Sequence, residues 1–179
     1  MKKITLIVCV ALAAITTNAA NCLWQTTALT ADMATTIDAG TYWLVALGAG
    51  GAGDSSQFSV YEDGTYDFGS YAVTATGSMT AGGSVGGTLE GLSLSDNGNY
   101  YALVIWDGES DGYWGVAEGI VDGIVDAPPT DANPISFDNS GMSMGIMLTN
   151  TAVEPIPEPT SGLMLLLGVA GLALRRKQK

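Results

Sequence analysis

Apolar and polar positions along this chain fall into short runs between turn residues, with no long stretch at helical spacing. Residues 41–47 (TYWLVAL) form a nearly unbroken apolar run ended by Gly48, Gly50 and Gly51, which predicts a buried strand. Residues 57–61 (QFSVY) and 65–68 (TYDF) alternate around Glu62-Asp63-Gly64 and predict a hairpin. Residues 71–76 read as a weaker strand, and the glycine-rich stretch 78–91 as mostly loop. Asp96-Asn97-Gly98-Asn99 is a turn signal before residues 100–106 (YYALVIW), the strongest strand in the sequence, and residues 113–117 are its expected return partner. Residues 143–149 are a candidate last strand. Two short helices are expected at 30–36 and 118–125, the second weakened by Gly119 and Gly123. Strands at this spacing predict a single all-β domain over residues 21–150, an antiparallel β-sandwich or jelly roll. Trp24, Trp43, Trp106 and Trp114 are expected in its core; a row of exposed rings would instead suggest a sugar-stacking platform.

Charge narrows the chemistry. The 179 residues include 18 acids, 6 bases and no histidine, for a net charge of −12. The bases are Lys2, Lys3, Arg175, Arg176, Lys177 and Lys179, and every acid lies between Asp32 and Glu158. The middle of the chain therefore has no cation. Nothing there neutralises phosphates, so nucleic acid is not an expected partner. No base activates a Ser or Cys nucleophile, and the ligands usual for zinc or haem are missing. Carboxylate chemistry and hard-cation binding remain.

Both ends read as addresses. Lys2 and Lys3, an apolar stretch over residues 4–15 and small residues at 16–20 make a secretory signal peptide over residues 1–20, with cleavage expected after Ala19 or Ala20. Cleavage removes Cys9 and leaves Cys22 alone, either buried beside Leu23 and Trp24 or free to pair between chains; burial is the expectation. At the other end, residues 151–162 are a Pro-rich linker, residues 163–174 a hydrophobic helix and residues 175–179 a basic tail. The apolar stretch from Ser161 to Leu174 gives about 21 Å of helix, short of a comfortable permanent span. The basic residues should stay cytoplasmic, leaving the domain outside.

Pro157-Glu158-Pro159, the apolar helix from Leu163 to Leu174 and the terminal Arg175-Arg176-Lys177 closely resemble the PEP-CTERM sorting signal of exported bacterial proteins. The resemblance covers only about the last 25 residues. It implies processing by an exosortase at the Pro-Glu-Pro site, transient residence in the inner membrane, and export to the cell surface or extracellular matrix of bacteria that make exopolysaccharide. Ile156 before the motif and an extra Glu154-Pro155 depart from the common pattern and leave the scissile bond open.

One acidic constellation bears on metal binding. Asp107, Glu109, Asp111 and Glu118, with Gly112 at position six, nearly match the twelve-residue calcium loop. Position three is Glu where Asp or Asn is the rule, and strands flank the loop where helices should. If residues 100–106 and 113–117 pair, Glu118 is carried away from Asp107, and the segment is an acidic hairpin turn. Nothing marks a pair of carboxylates as acid and base, so no enzyme and no cofactor are expected. The expectation is a non-enzymatic surface or matrix protein. Exopolysaccharide or divalent cations are candidate partners; the alternatives are a carbohydrate-binding or a calcium-dependent adhesion module.

Overall fold

A computed structural model describes residues 19–154, apart from 81, 110–111, 127–128 and 140–144. Most of the signal peptide, the Pro-rich motif, the hydrophobic helix and the basic tail lie outside the described residues. The strands are β1 (Ala20–Leu29), β2 (Thr41–Ala49), β3 (Ser59–Val60), β4 (Tyr66–Asp67), β5 (Ala72–Ser78), β6 (Ser84–Leu92), β7 (Asn99–Trp106), β8 (Tyr113–Ile120), β9 (Val125–Asp126), β10 (Pro129–Thr130), β11 (Ile135–Ser136), β12 (Ile146–Met147) and β13 (Asn150–Thr151). Among the described residues the only helical pieces are 3-10 turns at Asp54–Gln57 and Leu94–Asp96.

An antiparallel sheet in the order β13-β8-β7-β2-β5 faces a second sheet built on β1. The two apolar runs that stood out in the sequence are its central strands, and β7 returns as β8 with Trp106 opposite Trp114. One face of β2 and β7 packs against the β1 sheet: Leu44, Leu103 and Ile105 meet Trp24, Phe137, Ile146 and Leu148. Their other face carries Trp43, Val45 and Val104, covered by Phe58, Val60 and Phe68 from the excursion around β3 and β4. Burial on both faces is why these strands read as continuous apolar runs rather than as alternation. The β3–β4 hairpin forms where expected but is short, pairing only Ser59 with Asp67 and Val60 with Tyr66.

Four expectations are corrected. Residues 78–91 are not mostly loop: β6 lies antiparallel to β1 with Trp24 opposite Gly87. The glycines that argued against a strand belong there for packing. A Cβ on Gly87 would stand 2.9 Å from the Trp24 indole, so only a bare backbone passes the ring. The expected helix over 118–125 is instead the end of β8, a short connection and the start of β9, with Glu118 and Gly119 in the strand. The expected helix over 30–36 is a turn in which Thr30 N–H donates to the Thr35 carbonyl at 2.9 Å. The sheets are also not purely antiparallel. β1 pairs in parallel with β11 and β12, two short strands that close its second edge. Of residues 143–149, those at 143–144 lie outside the described residues, and β12 occupies the next part.

Pairing continues beyond Asn150. Asn150 and Thr151 pair with Trp114 and Tyr113, Ala152 is buried, and Val153 N–H donates to the Val60 carbonyl at 2.9 Å.

Candidate functional site

The carboxylates settle in a way that follows from having no cations. They accept backbone N–H groups instead. Asp63 takes Thr65 N–H at 2.9 Å, Asp67 takes Gly69 N–H at 2.8 Å, and Asp107 takes Glu109 N–H at 3.1 Å. Each is an Asx turn to the residue two positions on. Other acids tie distant segments together: Asp38 accepts from Gly82 N–H at 2.8 Å, and Asp131 from Asn21 N–H at 2.9 Å. Asp32 accepts the Thr30 hydroxyl and Ala34 N–H, and Asp63 also accepts the Thr65 hydroxyl; these bonds hold both carboxyls below the usual carboxylate range, with the threonine hydroxyl the largest cause in each case.

The four residues of the calcium-loop candidate do not share one place. Asp107 folds over its own turn, its second oxygen accepting Tyr113 N–H at 2.8 Å. Glu109 sits in that turn, and Asp111 lies outside the described residues. Glu118 is on β8 opposite Ala102, while the end of β7 lies at Trp106. Four residues of strand put it about 13 Å from that end. There its carboxylate reaches the segment that follows β2, accepting Gly53 N–H at 2.7 Å and Ser55 N–H at 3.0 Å. It thereby anchors the Asp54–Gln57 turn. Beside it the Tyr71 hydroxyl donates to Asp54, and that bond raises the phenol pKa. Among the described residues, no group of three or more Cys, Asp or Glu is placed to hold a metal ion.

The aromatic residues divide. Trp24, Trp43 and Trp114 are buried, and Trp106 is half-buried with its indole N–H unpartnered. The more exposed rings, Tyr66 and Tyr113, lie on separate strands and form no row. Tyr66 stacks on Phe68 with centroids 4.4 Å apart.

Two adjoining clefts run between the open sides of the sheets, with Tyr42 and Gly86 common to both. One, of about 460 Å³, is lined by Gln25, Thr27, Tyr42, Ser78, Thr80 and Ser84 among others, and no charged side chain reaches it. The other, of about 400 Å³, runs past Thr74, Gly87, Thr88 and Glu90. The glycine-rich composition of residues 78–91, which predicts loop, hides this region in the sequence. The absence of any charge between Asp67 and Glu90 was the available signal.

Cys22 is fully buried. Its thiol donates to the Asn133 carbonyl at 3.3 Å, and burial pushes its pKa up. In the folded domain it is not presented to a second chain.

The family model of the PEP-CTERM protein-sorting motif matches residues 155–177. No curated protein and no solved structure matches the chain. The chain thus carries a PEP-CTERM sorting motif, which includes Pro157, Glu158, Pro159 and the basic Arg175, Arg176 and Lys177, and marks it as an exported, exosortase-processed protein. The match begins immediately after Glu154, two residues past the last backbone bond of the described fold at Val153.

Proposed function

We propose that this protein is a structural, non-enzymatic component of the bacterial surface or extracellular matrix, delivered by exosortase and associated with exopolysaccharide. The observation that carries the reading is the sorting motif joined directly to a folded β domain in which several carboxylates, Asp63, Asp67 and Asp107 among them, accept hydrogen bonds from its own turns. The domain has no histidine, lysine or arginine to serve as a base or to bind an anion. Its acidic surface keeps it soluble and favours divalent cations as bridges to other acidic material.

A carbohydrate-binding role is the second reading. The uncharged, hydroxyl-lined cleft at Tyr42 favours a neutral sugar over an acidic one. The buried tryptophans do not add a stacking platform to it.

Intact mass of the protein recovered from the cell surface and medium tests the proposal. A mature form beginning near Asn21 and ending within residues 157–160 is expected. A chain intact through Lys179 would mean a lasting membrane anchor, and the sorted-matrix reading would fail.

A further inference from the structure

The two layers are closed along one side and open along the other. β11 and β12 cover one edge of β1, while β6 on its other edge and β5 of the facing sheet are not paired with each other. The gap between β5 and β6 holds the two adjoining clefts, of about 460 and 400 Å³. Glycines keep it open. A Cβ on Gly77 of β5 would stand 2.8 Å from the Tyr42 hydroxyl, and one on Gly87 of β6 would stand 2.9 Å from the Trp24 ring. Where inward side chains would seal the layers, the chain has bare backbone over two aromatic rings. Trp24 and Tyr42 meet edge to face there, with centroids 5.7 Å apart. Tyr42 is half-buried and is the ring common to both clefts.

The lining restricts what can enter. Some of its hydroxyls are committed to the fold: Thr74 donates to the Leu44 carbonyl at 2.9 Å and Thr80 to the Ser84 carbonyl at 2.8 Å. Others are not. The hydroxyls of Tyr42, Ser78 and Ser84 in one cleft, and of Thr88 in the other, have no protein partner among the described residues. No charged side chain lines the first cleft, and Glu90 is the one that lines the second. With no Lys or Arg in the domain, an anionic chain has nothing to pair with and is repelled by the surrounding acids. The ligand that fits is uncharged, rich in hydroxyls and long, since Ser84 to Glu90 on β6 spans about 20 Å.

We propose that the groove between β5 and β6 binds an uncharged linear glycan, directly and without a bridging cation, with Tyr42 at its centre. Its premise is the association with exopolysaccharide proposed above, to which it adds the site and the class of chain. The Tyr42 ring supplies apolar surface, and each hydroxyl around it can donate or accept, as a sugar's own hydroxyls require. The fold also sets where the groove points. β5 and β13 are the two edges of the five-stranded sheet, four strand spacings or about 19 Å apart. The chain leaves the described fold past β13 toward the sorting motif, so the groove lies at the opposite edge of the sheet from that end.

Isothermal titration of the exported, processed protein with the exopolysaccharide of the same cells tests this. The polymer is split by anion exchange into uncharged and acidic fractions, each trimmed to a series of chain lengths, and a chelator removes calcium. The uncharged fraction is expected to bind, more tightly as the fragments lengthen until the groove is filled. Ser78→Ala with Ser84→Ala removes two exposed hydroxyls and should weaken binding about tenfold or more. Tyr42→Phe keeps the ring, loses its hydroxyl and should weaken binding severalfold. Unchanged far-UV circular dichroism confirms that both variants fold. Equal binding by wild type and both variants would overturn the proposal, since another surface would then be in use. An acidic fraction bound only when calcium is returned, with the uncharged fraction unbound, would overturn the groove and leave the association with exopolysaccharide standing. If neither fraction binds, with or without calcium, both fall.

Discussion

Glu118 offers the sharpest discrimination between a calcium ligand and a structural anchor. Its carboxylate accepts two backbone N–H groups, from Gly53 at 2.7 Å and Ser55 at 3.0 Å, and so ties the Asp54–Gln57 turn to β8. Hydrogen bonds to a charged acceptor contribute about 1.5–3 kcal/mol each when sheltered. Ser55 is buried, but the Gly53 bond is open to water and counts for less. Replacing Glu118 with Ala should therefore cost about 2–3 kcal/mol. Glu118→Gln keeps one acceptor, loses the charge and turns an NH2 toward a donor; about 1–2 kcal/mol is expected. For a domain of this size the alanine change lowers Tm by roughly 6–12 °C. Urea unfolding followed by tryptophan fluorescence measures the loss, and a parallel series in millimolar calcium isolates any metal role. Calcium should stabilise wild type and variant equally, and more than sodium chloride of equal ionic strength, because binding to this acidic surface is diffuse. A loss below about 0.5 kcal/mol would refute the anchoring argument. A calcium gain present in wild type and absent in Glu118→Gln would restore the loop reading.

Three further outcomes are expected. The processed protein should hide Cys22 from a thiol reagent in native buffer and show one reactive thiol in urea, because the sulfur is fully buried and bonded to Asn133; rapid native labelling would contradict the burial. Stability should fall in alkali. Tyr71, bonded to Asp54, and Tyr101, desolvated by burial, both have raised pKa values. The folded state therefore holds these protons more tightly than the unfolded chain. Their contribution is complete below the unfolded value of about 10 and is lost as pH rises through the folded values. Absorbance at 295 nm against pH, with Tyr71→Phe, measures this, and a Tyr71 ionising with the exposed tyrosines would be the contrary result. Gly119→Ala should destabilise by about 1–3 kcal/mol or more through overpacking. Its Cβ would fall 2.2 Å from Ile135 Cγ2 and 3.1 Å from the Phe137 ring. A helix at this position would instead have gained from the change, so a stabilised variant would overturn the strand assignment.

What the sequence determined by itself was whatever local pattern encodes. The sorting tail is read from chemistry in linear order: a Pro-Glu-Pro site, an apolar stretch, a basic end. β2, β7 and β8 are legible because long apolar runs between turn signals have few other uses, and Asp96-Asn97-Gly98 marks its turn through side chains that act on their own backbone. The turns at Asp63 and Asp107 were legible in the same way, whereas the Asx turn of Asp67 lies at the end of a stretch that reads as strand.

Tertiary structure alone decided the rest, because the deciding contacts are distant in the chain. β6 is a strand because β1 lies beside it and Trp24 requires glycine at position 87. Glu118 serves an amide 65 residues away, so no spacing in the sequence announces it. The parallel partners of β1 come from more than 100 positions downstream and are two residues long, too short for any periodicity to show. The uncharged stretch from Phe68 to Leu89 is visible in the sequence. That part of it, β5, lies at the edge of the five-stranded sheet follows only from the order in which the strands assemble.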